Sequence, residues 1–260
     1  MNRPEATTDI RLRQALLTLV LWLFATLGIG LLLRQDRLSS ISELIALMSQ
    51  GVAWNLLLSL AVLAVATRVF GWTDLGFRPP PLWLALRLLW FPALMQLPIF
   101  ALAFAIGLPP LSAIGFLALN AILVALSEEW MFRGILFRAM AARRRVWPAL
   151  LLTSVIFGSI HVLNGFTYAS LSQSSVQAVA ATMTGLLLGA LLIRSGSIWP
   201  SIVLHTFWNL GLILVSFEAA SHSQPAPPTT PQTVLVGMAI VMPNLFYALF
   251  LLRKTRQTPA

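Results

Sequence analysis

Eight apolar runs of membrane-spanning length divide this 260-residue chain, and they restrict its fold more than any other feature of the sequence. They are Ala15–Leu33, Leu44–Thr67, Leu82–Leu108, Leu111–Ala142, Val146–Leu163, Val176–Ile193, Ile198–Phe217 and Val234–Leu252. A helix needs about 20 mostly apolar residues to cross the hydrocarbon core of a bilayer. In that core every backbone N–H and C=O must be satisfied internally, which leaves helices or closed barrels. None of the runs alternates with the two-residue period of a barrel strand. The expected fold class is therefore all-α, a polytopic membrane helical bundle of about eight transmembrane helices. It forms a single integral membrane domain over residues 1–260, since no stretch is long and polar enough to make a second, soluble one.

Charge fixes the expected orientation. The 17 Lys and Arg against 8 Asp and Glu give a net charge of +9. The arginines fall in short clusters between apolar runs rather than along one face, so nucleic acid is not an expected partner; basic loops beside spans set topology instead. Arg3, Arg11 and Arg13 precede the first run; Arg68, Arg78 and Arg87 surround the second connection. Arg138, Arg143, Arg144 and Arg145 surround the fourth, Arg194 lies at the sixth, and Arg253, Lys254 and Arg256 are in the tail. Only Arg34 and Arg37 fall on the other side, offset by Asp36 and Glu43. Both termini are expected in the cytoplasm, with the protein multi-pass in the cell's inner (plasma) membrane. The first run exceeds a typical signal-peptide core and lacks a small-residue cleavage site, so it is read as a retained span. There is no cysteine, which removes disulfides and thiolate chemistry.

Other features have ordinary explanations. Pro92, Pro98 and Pro243 lie inside runs and can kink or open a helix, whereas Pro148 and Pro200 sit near span starts as first-turn prolines do. Gly185 and Gly189 permit close helix contact, a pattern common in membrane helices. Trp72, Trp83, Trp147 and Trp199 mark interfacial belts, and Ala226–Pro231 is a proline-rich external loop.

Two of the eight acidic residues, Glu128 and Glu129, stand side by side at the inner end of an apolar run. An ionisable group at membrane depth costs about 2.5–3.5 kcal/mol on insertion scales, and such groups face partners or water-filled cavities. Neighbours on a helix point about 100° apart, so the two glutamates present different faces. Glu129 and Arg133 are spaced i,i+4 in the favourable order, acid before base. Glu128 is left as a free carboxylate suited to general acid/base work. The bland alternative is that both snorkel to the cytoplasmic interface.

His161 and His205 lie within spans, while His222 is in an external loop. Glu128 precedes Arg144 by 16 residues and His161 follows it by 17, so antiparallel neighbours turning at Arg144 would hold both at one depth. His205 and Asn209 are again i,i+4 and face one direction. Both offer donors of the kind that stabilise an oxyanion; the alternative for Asn209 is an interhelical hydrogen bond.

Glu128-Glu129-x-x-x-Arg133, Phe157-x-x-x-His161 and His205-x-x-x-Asn209, in that order on successive helices, resemble the three motifs of the CPBP intramembrane proteases. That family includes the CAAX prenyl endopeptidase and bacterial Abi and bacteriocin-immunity-type proteins. The resemblance covers about residues 111–217. It implies a multi-helix fold with a cavity open to the cytoplasmic side, and hydrolysis of a peptide bond. By it, Glu128 and His161 would activate water, His205 and Asn209 would bind the oxyanion, and Glu129 with Arg133 would shape the site. The family is commonly described as metalloproteases, and Glu128, His161 and His205 could supply three zinc ligands. A glutamate mechanism without metal fits the residues equally well.

The expected function is an intramembrane endopeptidase acting on a membrane-associated peptide or protein, with membrane lipid as its surroundings. The competing readings are a non-catalytic bacteriocin-immunity or membrane-partner protein, and a proton-coupled transporter, whose usual repeat symmetry is not visible here. Asp9, Asp36 and Asp74 lie outside the apolar runs, which excludes an intramembrane aspartyl dyad. Ser159 faces away from His161 and lacks a Gly-x-Ser-x-Gly setting. For the topology, green fluorescent protein fused after Ala260 should fluoresce, and alkaline phosphatase fused at Pro227 should be active; the reverse pattern would invert the assignment.

Overall fold

Polar residues at the ends of the apolar runs set where several helices begin. Ser40 accepts from the Glu43 N–H, Ser170 and Gln173 cap each other reciprocally, and Thr230 and Thr233 do the same ahead of Pro231. Gly71 and Gly196 end helices in the left-handed conformation that a Cβ disfavours.

The structure, a computed structural model, describes residues 3–28, 38, 40–167, 170–221, 229–253 and 255. Helix α1 is Arg3–Leu23, continued by a π-helical turn Phe24–Gly28; α2 is Ile41–Met48, α3 Trp54–Phe70 and α4 Leu82–Ile106. Helix α5, Leu111–Glu129, passes into a π-helical segment Trp130–Leu136 and then α6, Phe137–Ala141. Helix α7, Val146–Ile160, ends in a 3-10 turn His161–Phe166; α8 is Leu171–Ser195, α9 Trp199–Ser221 and α10 Pro231–Leu252. The all-helical bundle expected from hydropathy is the fold observed. Among the described residues seven helices are long and apolar enough to cross a membrane, and α3 is a shorter apolar one. Arg34, Asp36, Arg37, His222 and residues 226–228 lie outside the described residues, as does the end of the first expected span.

The second expected span, Leu44–Thr67, is divided between α2 and α3. Asn120 of α5, fully buried, supports the break. Its Nδ2 donates to the Met48 and Gly51 carbonyls at 3.0 and 2.8 Å, and its Oδ1 accepts from the Ala53 N–H at 2.9 Å. Backbone that leaves a helix at membrane depth is tolerated only where protein or water satisfies it. One amide side chain does so three times.

Helix α8 lies at the centre, packed against α7, α9 and α10. A Cβ at Gly189 would collide with Leu150, and one at Gly158 with Thr182 and the Ala178 carbonyl, so α7 and α8 meet at backbone distance. The internal prolines break neither α4 nor α10, and Gln96, between Pro92 and Pro98, donates to the Leu204 carbonyl at 3.2 Å. The 71–81 loop tucks under the start of α9: Ile198 N–H donates to the Gly76 carbonyl at 2.9 Å, and Trp199 Nε1 to the Phe77 carbonyl at 2.7 Å.

Helix α1 starts earlier than its apolar run, and its polar first turns are tied to this end of the bundle. Arg11 pairs with Asp74 at 2.7 Å and Asp9 with Arg143 at 2.8 Å. Partial burial pushes the Asp74 carboxyl pKa up, but the hydrogen bond and charge of Arg11 outweigh it and hold the group below its ordinary value. Because the folded-state value is the lower one, the tie contributes fully above the unfolded aspartate range near about 4. It is lost as pH falls through the folded value. Thermal unfolding in detergent should show a small acid-side loss of stability that Asp74→Asn removes. At neutral pH that variant should cost no more than about 1 kcal/mol, because the pair is largely solvated; an unchanged acid profile would refute the assignment.

Candidate active site

The last turn of α5 and the π-helical segment after it divide the two glutamates between two environments. Glu129 is fully buried. Its Oε1 accepts from Arg133 Nη1 at 3.0 Å and from His205 Nδ1 at 2.9 Å. Arg133 Nη2 donates to the Gly185 carbonyl of α8 at 3.2 Å, and the guanidinium carbon stands 4.3 Å over the Phe157 ring. The Glu129–Arg133 pair expected from i,i+4 spacing is thus present, and it also holds an imidazole from α9. One wider turn beyond Glu129 is a site-associated irregularity of the kind common in functional helices.

Glu128 instead lines a cavity of about 500 Å³, together with His161, His205 and Asn209. Four predicted residues from three helical stretches therefore face one space, with Glu129 and Arg133 behind it. Glu128 Oε2 is buried and has no hydrogen-bond partner. His205 Nε2 is 3.6 Å away, beyond hydrogen-bond length. A buried carboxylate oxygen left in this way is a place for water or a substrate group.

The histidine tautomers follow from their partners. His161 Nδ1 lies 2.9 Å from the Phe157 carbonyl, which can only accept, so Nδ1 carries the hydrogen and a neutral ring has its lone pair on Nε2. His205 Nδ1 likewise donates to Glu129. The Phe157 ring sits edge-on to both imidazoles, with centroids 5.0 and 6.0 Å away. Ser159 is exposed and does not line the cavity; of the serines that do, Ser127 is hydrogen-bonded to Trp22 and Ser59, and Ser216 donates to the Leu212 carbonyl.

Glu128, His161 and His205 line one cavity but are not drawn together as a three-ligand zinc site. Among the described residues no three His, Cys, Asp or Glu side chains gather closely enough to hold a metal ion. No chemical step below runs through a metal.

Several supporting residues were not singled out by sequence. Trp22 Nε1 donates to Ser127 Oγ at 2.7 Å, and Ser127 Oγ is 2.9 Å from Ser59 Oγ, joining α1, α3 and α5 beside Glu128. Asn164 Nδ2 donates to Gln177 Oε1 at 3.0 Å on another cavity wall. The one available signal was Ser127 adjoining Glu128 in an apolar run. Gly185 acquires a role beyond close packing, because its carbonyl receives Arg133 and a Cβ there would crowd both Arg133 and Phe157.

The structure is thus a polytopic helical bundle in which a glutamate–histidine cluster lines a cavity. Residues 110–211, from the start of α5 to just past Asn209, match the family model described as Type II CAAX prenyl endopeptidase Rce1-like. The matched segment agrees with the family that the three motifs resemble, and it supports an intramembrane endopeptidase in general. No curated protein and no solved structure matches the chain.

Removing one partner of a buried ion pair leaves an uncompensated charge, at a cost of about 3–5 kcal/mol. Glu129→Ala and Arg133→Ala should therefore each lower the unfolding temperature markedly in detergent, and the double variant should fall well short of the sum. Additive losses would show that the two side chains are not coupled.

Proposed function

We propose that the protein is an endopeptidase that hydrolyses a peptide bond of a membrane-associated peptide or protein inside the cavity. The observation that carries the reading is that Glu128, His161, His205 and Asn209 line one cavity while Glu128 Oε2 has no partner.

In this mechanism a water sits between Glu128 and the Nε2 lone pair of His161. As its oxygen attacks the scissile carbonyl, its proton passes to that pair. The carbonyl oxygen becomes an oxyanion held by Asn209 Nδ2 and by His205 Nε2–H. Since His205 Nδ1 already donates to Glu129, its second donor makes the ring an imidazolium. Collapse of the tetrahedral intermediate breaks the C–N bond, and the proton taken from water goes to the leaving amine.

Apolar side chains of α2, including Ile41, Ile45 and Met48, line the same cavity and suit an apolar substrate segment. The basic loops support an inner-membrane protein with both termini in the cytoplasm. Glu128 and His161 act by proton transfer, a contribution of about 10²–10⁴-fold. In membranes from expressing cells, new peptide termini counted by mass spectrometry should vanish in Glu128→Ala and His161→Ala, with unfolding temperatures near the parent. Asn209→Ala should slow cleavage by about 10²–10³-fold, as loss of an oxyanion donor does. Undiminished cleavage in folded Glu128→Ala protein would defeat the proposal. Function retained after replacing Glu128, His161 and His205 together would identify a non-catalytic membrane partner instead.

A further inference from the structure

Helix α5 separates two hollows. Ser127 and Glu128 face the catalytic cavity, whereas Leu126 and Trp130 line a second one of about 660 Å³, bounded by the 71–81 loop and Trp199. Three residues lining the second hollow carry a buried polar atom without a hydrogen-bond partner: Thr67 Oγ1, Trp130 Nε1 and Arg138 Nε. Six such side-chain atoms occur among the described residues, and two of the others are the Glu128 and Glu129 oxygens. Orphaned polar atoms therefore concentrate at two places, the catalytic site and this hollow. A buried donor without a partner is destabilising, so a cluster of them points to a group that satisfies them.

The chemistry of that group follows from the donors. The indole and guanidinium nitrogens can only donate, and a hydroxyl can do so; the missing partner is an acceptor. Arg138 and Arg78 line the hollow with a single carboxylate, Asp74, which Arg11 already pairs at 2.7 Å. The hollow is thus net basic, and an anion offering several acceptor oxygens matches it. It also lies at the end of the bundle where Arg11, Arg143 and the 71–81 loop meet, with the aromatic rings of Phe77 and Trp199 on its wall. Aromatic and basic side chains together are the signature of headgroup depth in a membrane.

We propose that this hollow is a phosphate-binding site, separate from the catalytic cavity, in which Arg138, Trp130 and Thr67 receive the phosphate of an anionic phospholipid headgroup or free phosphate. The site does not depend on the protease assignment. A ligand that binds only the folded protein raises its unfolding temperature by mass action. Protein in phosphate-free detergent should gain about 2–4 °C or more with phosphatidylglycerol, and little with phosphatidylcholine. Arg138→Gln and Trp130→Phe should each weaken apparent affinity about tenfold, the effect of losing roughly one charge-assisted hydrogen bond. Arg144→Gln, an exposed arginine outside the hollow, should leave the response unchanged. Asp74→Asn should tighten binding by removing the one carboxylate, which keeps the test decisive if Arg138→Gln does not fold. A response to phosphatidylglycerol but not to inorganic phosphate assigns the site to lipid; an equal response to inorganic phosphate assigns it to the free anion. No response to either, or one undiminished in both Trp130→Phe and Arg138→Gln, overturns the proposal.

Discussion

The Glu129 carboxylate is the contact on which the rest of the site depends. It receives Arg133 from the π-helical segment and His205 from α9, while Arg133 reaches the Gly185 carbonyl of α8 and lies over Phe157 of α7. Four helical elements are thus tied through one buried charge pair. In a bilayer, lipid is as apolar as leucine, so helices are not driven together by the hydrophobic effect as they are in water. Polar ties and close packing, such as that at Gly158 and Gly189, decide instead which helices adjoin.

The same tie frees Glu128. Because Arg133 is held by Glu129 and the Gly185 carbonyl, its guanidinium is kept within the packing, and Glu128 Oε2 remains without a hydrogen-bond partner. The roughly 100° step between neighbouring helical residues turns one glutamate into the packing and the other into the cavity. The asymmetry of the pair begins in the local sequence, where Arg133 stands one turn beyond Glu129 and Phe132 one turn beyond Glu128, and α8 and α9 complete it through the Gly185 carbonyl and His205. The last turns of α5 extend this partition, with the cavity that Glu128 lines on one side and the basic hollow on the other.

Much of the site was legible because its pairings are local. Glu129 with Arg133 and His205 with Asn209 are single-turn spacings on one helix, and 3.6 residues per turn fixes their common face before any tertiary contact exists. The depth match of Glu128 with His161 was accessible for a related reason, since a short turn leaves antiparallel neighbours few alternatives. The Glu129–His205 bond spans 76 positions and has no such signature. Nor does the division of the second apolar run, where Asn120 satisfies backbone atoms of a segment about 70 residues away. Hydropathy sums over that break without registering it.

The sequence by itself determined that this is a bundle of membrane helices carrying an expensive carboxylate pair, two intramembrane histidines and the motifs of a protease family. Hydrophobic length and helical periodicity are properties of short windows, and lipid permits few other outcomes. Only the tertiary structure decided that His205 belongs to the Glu129 tie as well as to the cavity, that Asn120 supports a break in the second apolar run, and that a second, basic hollow lies behind α5. Each of those rests on side chains from distant segments meeting at a particular depth, and no local pattern encodes that meeting.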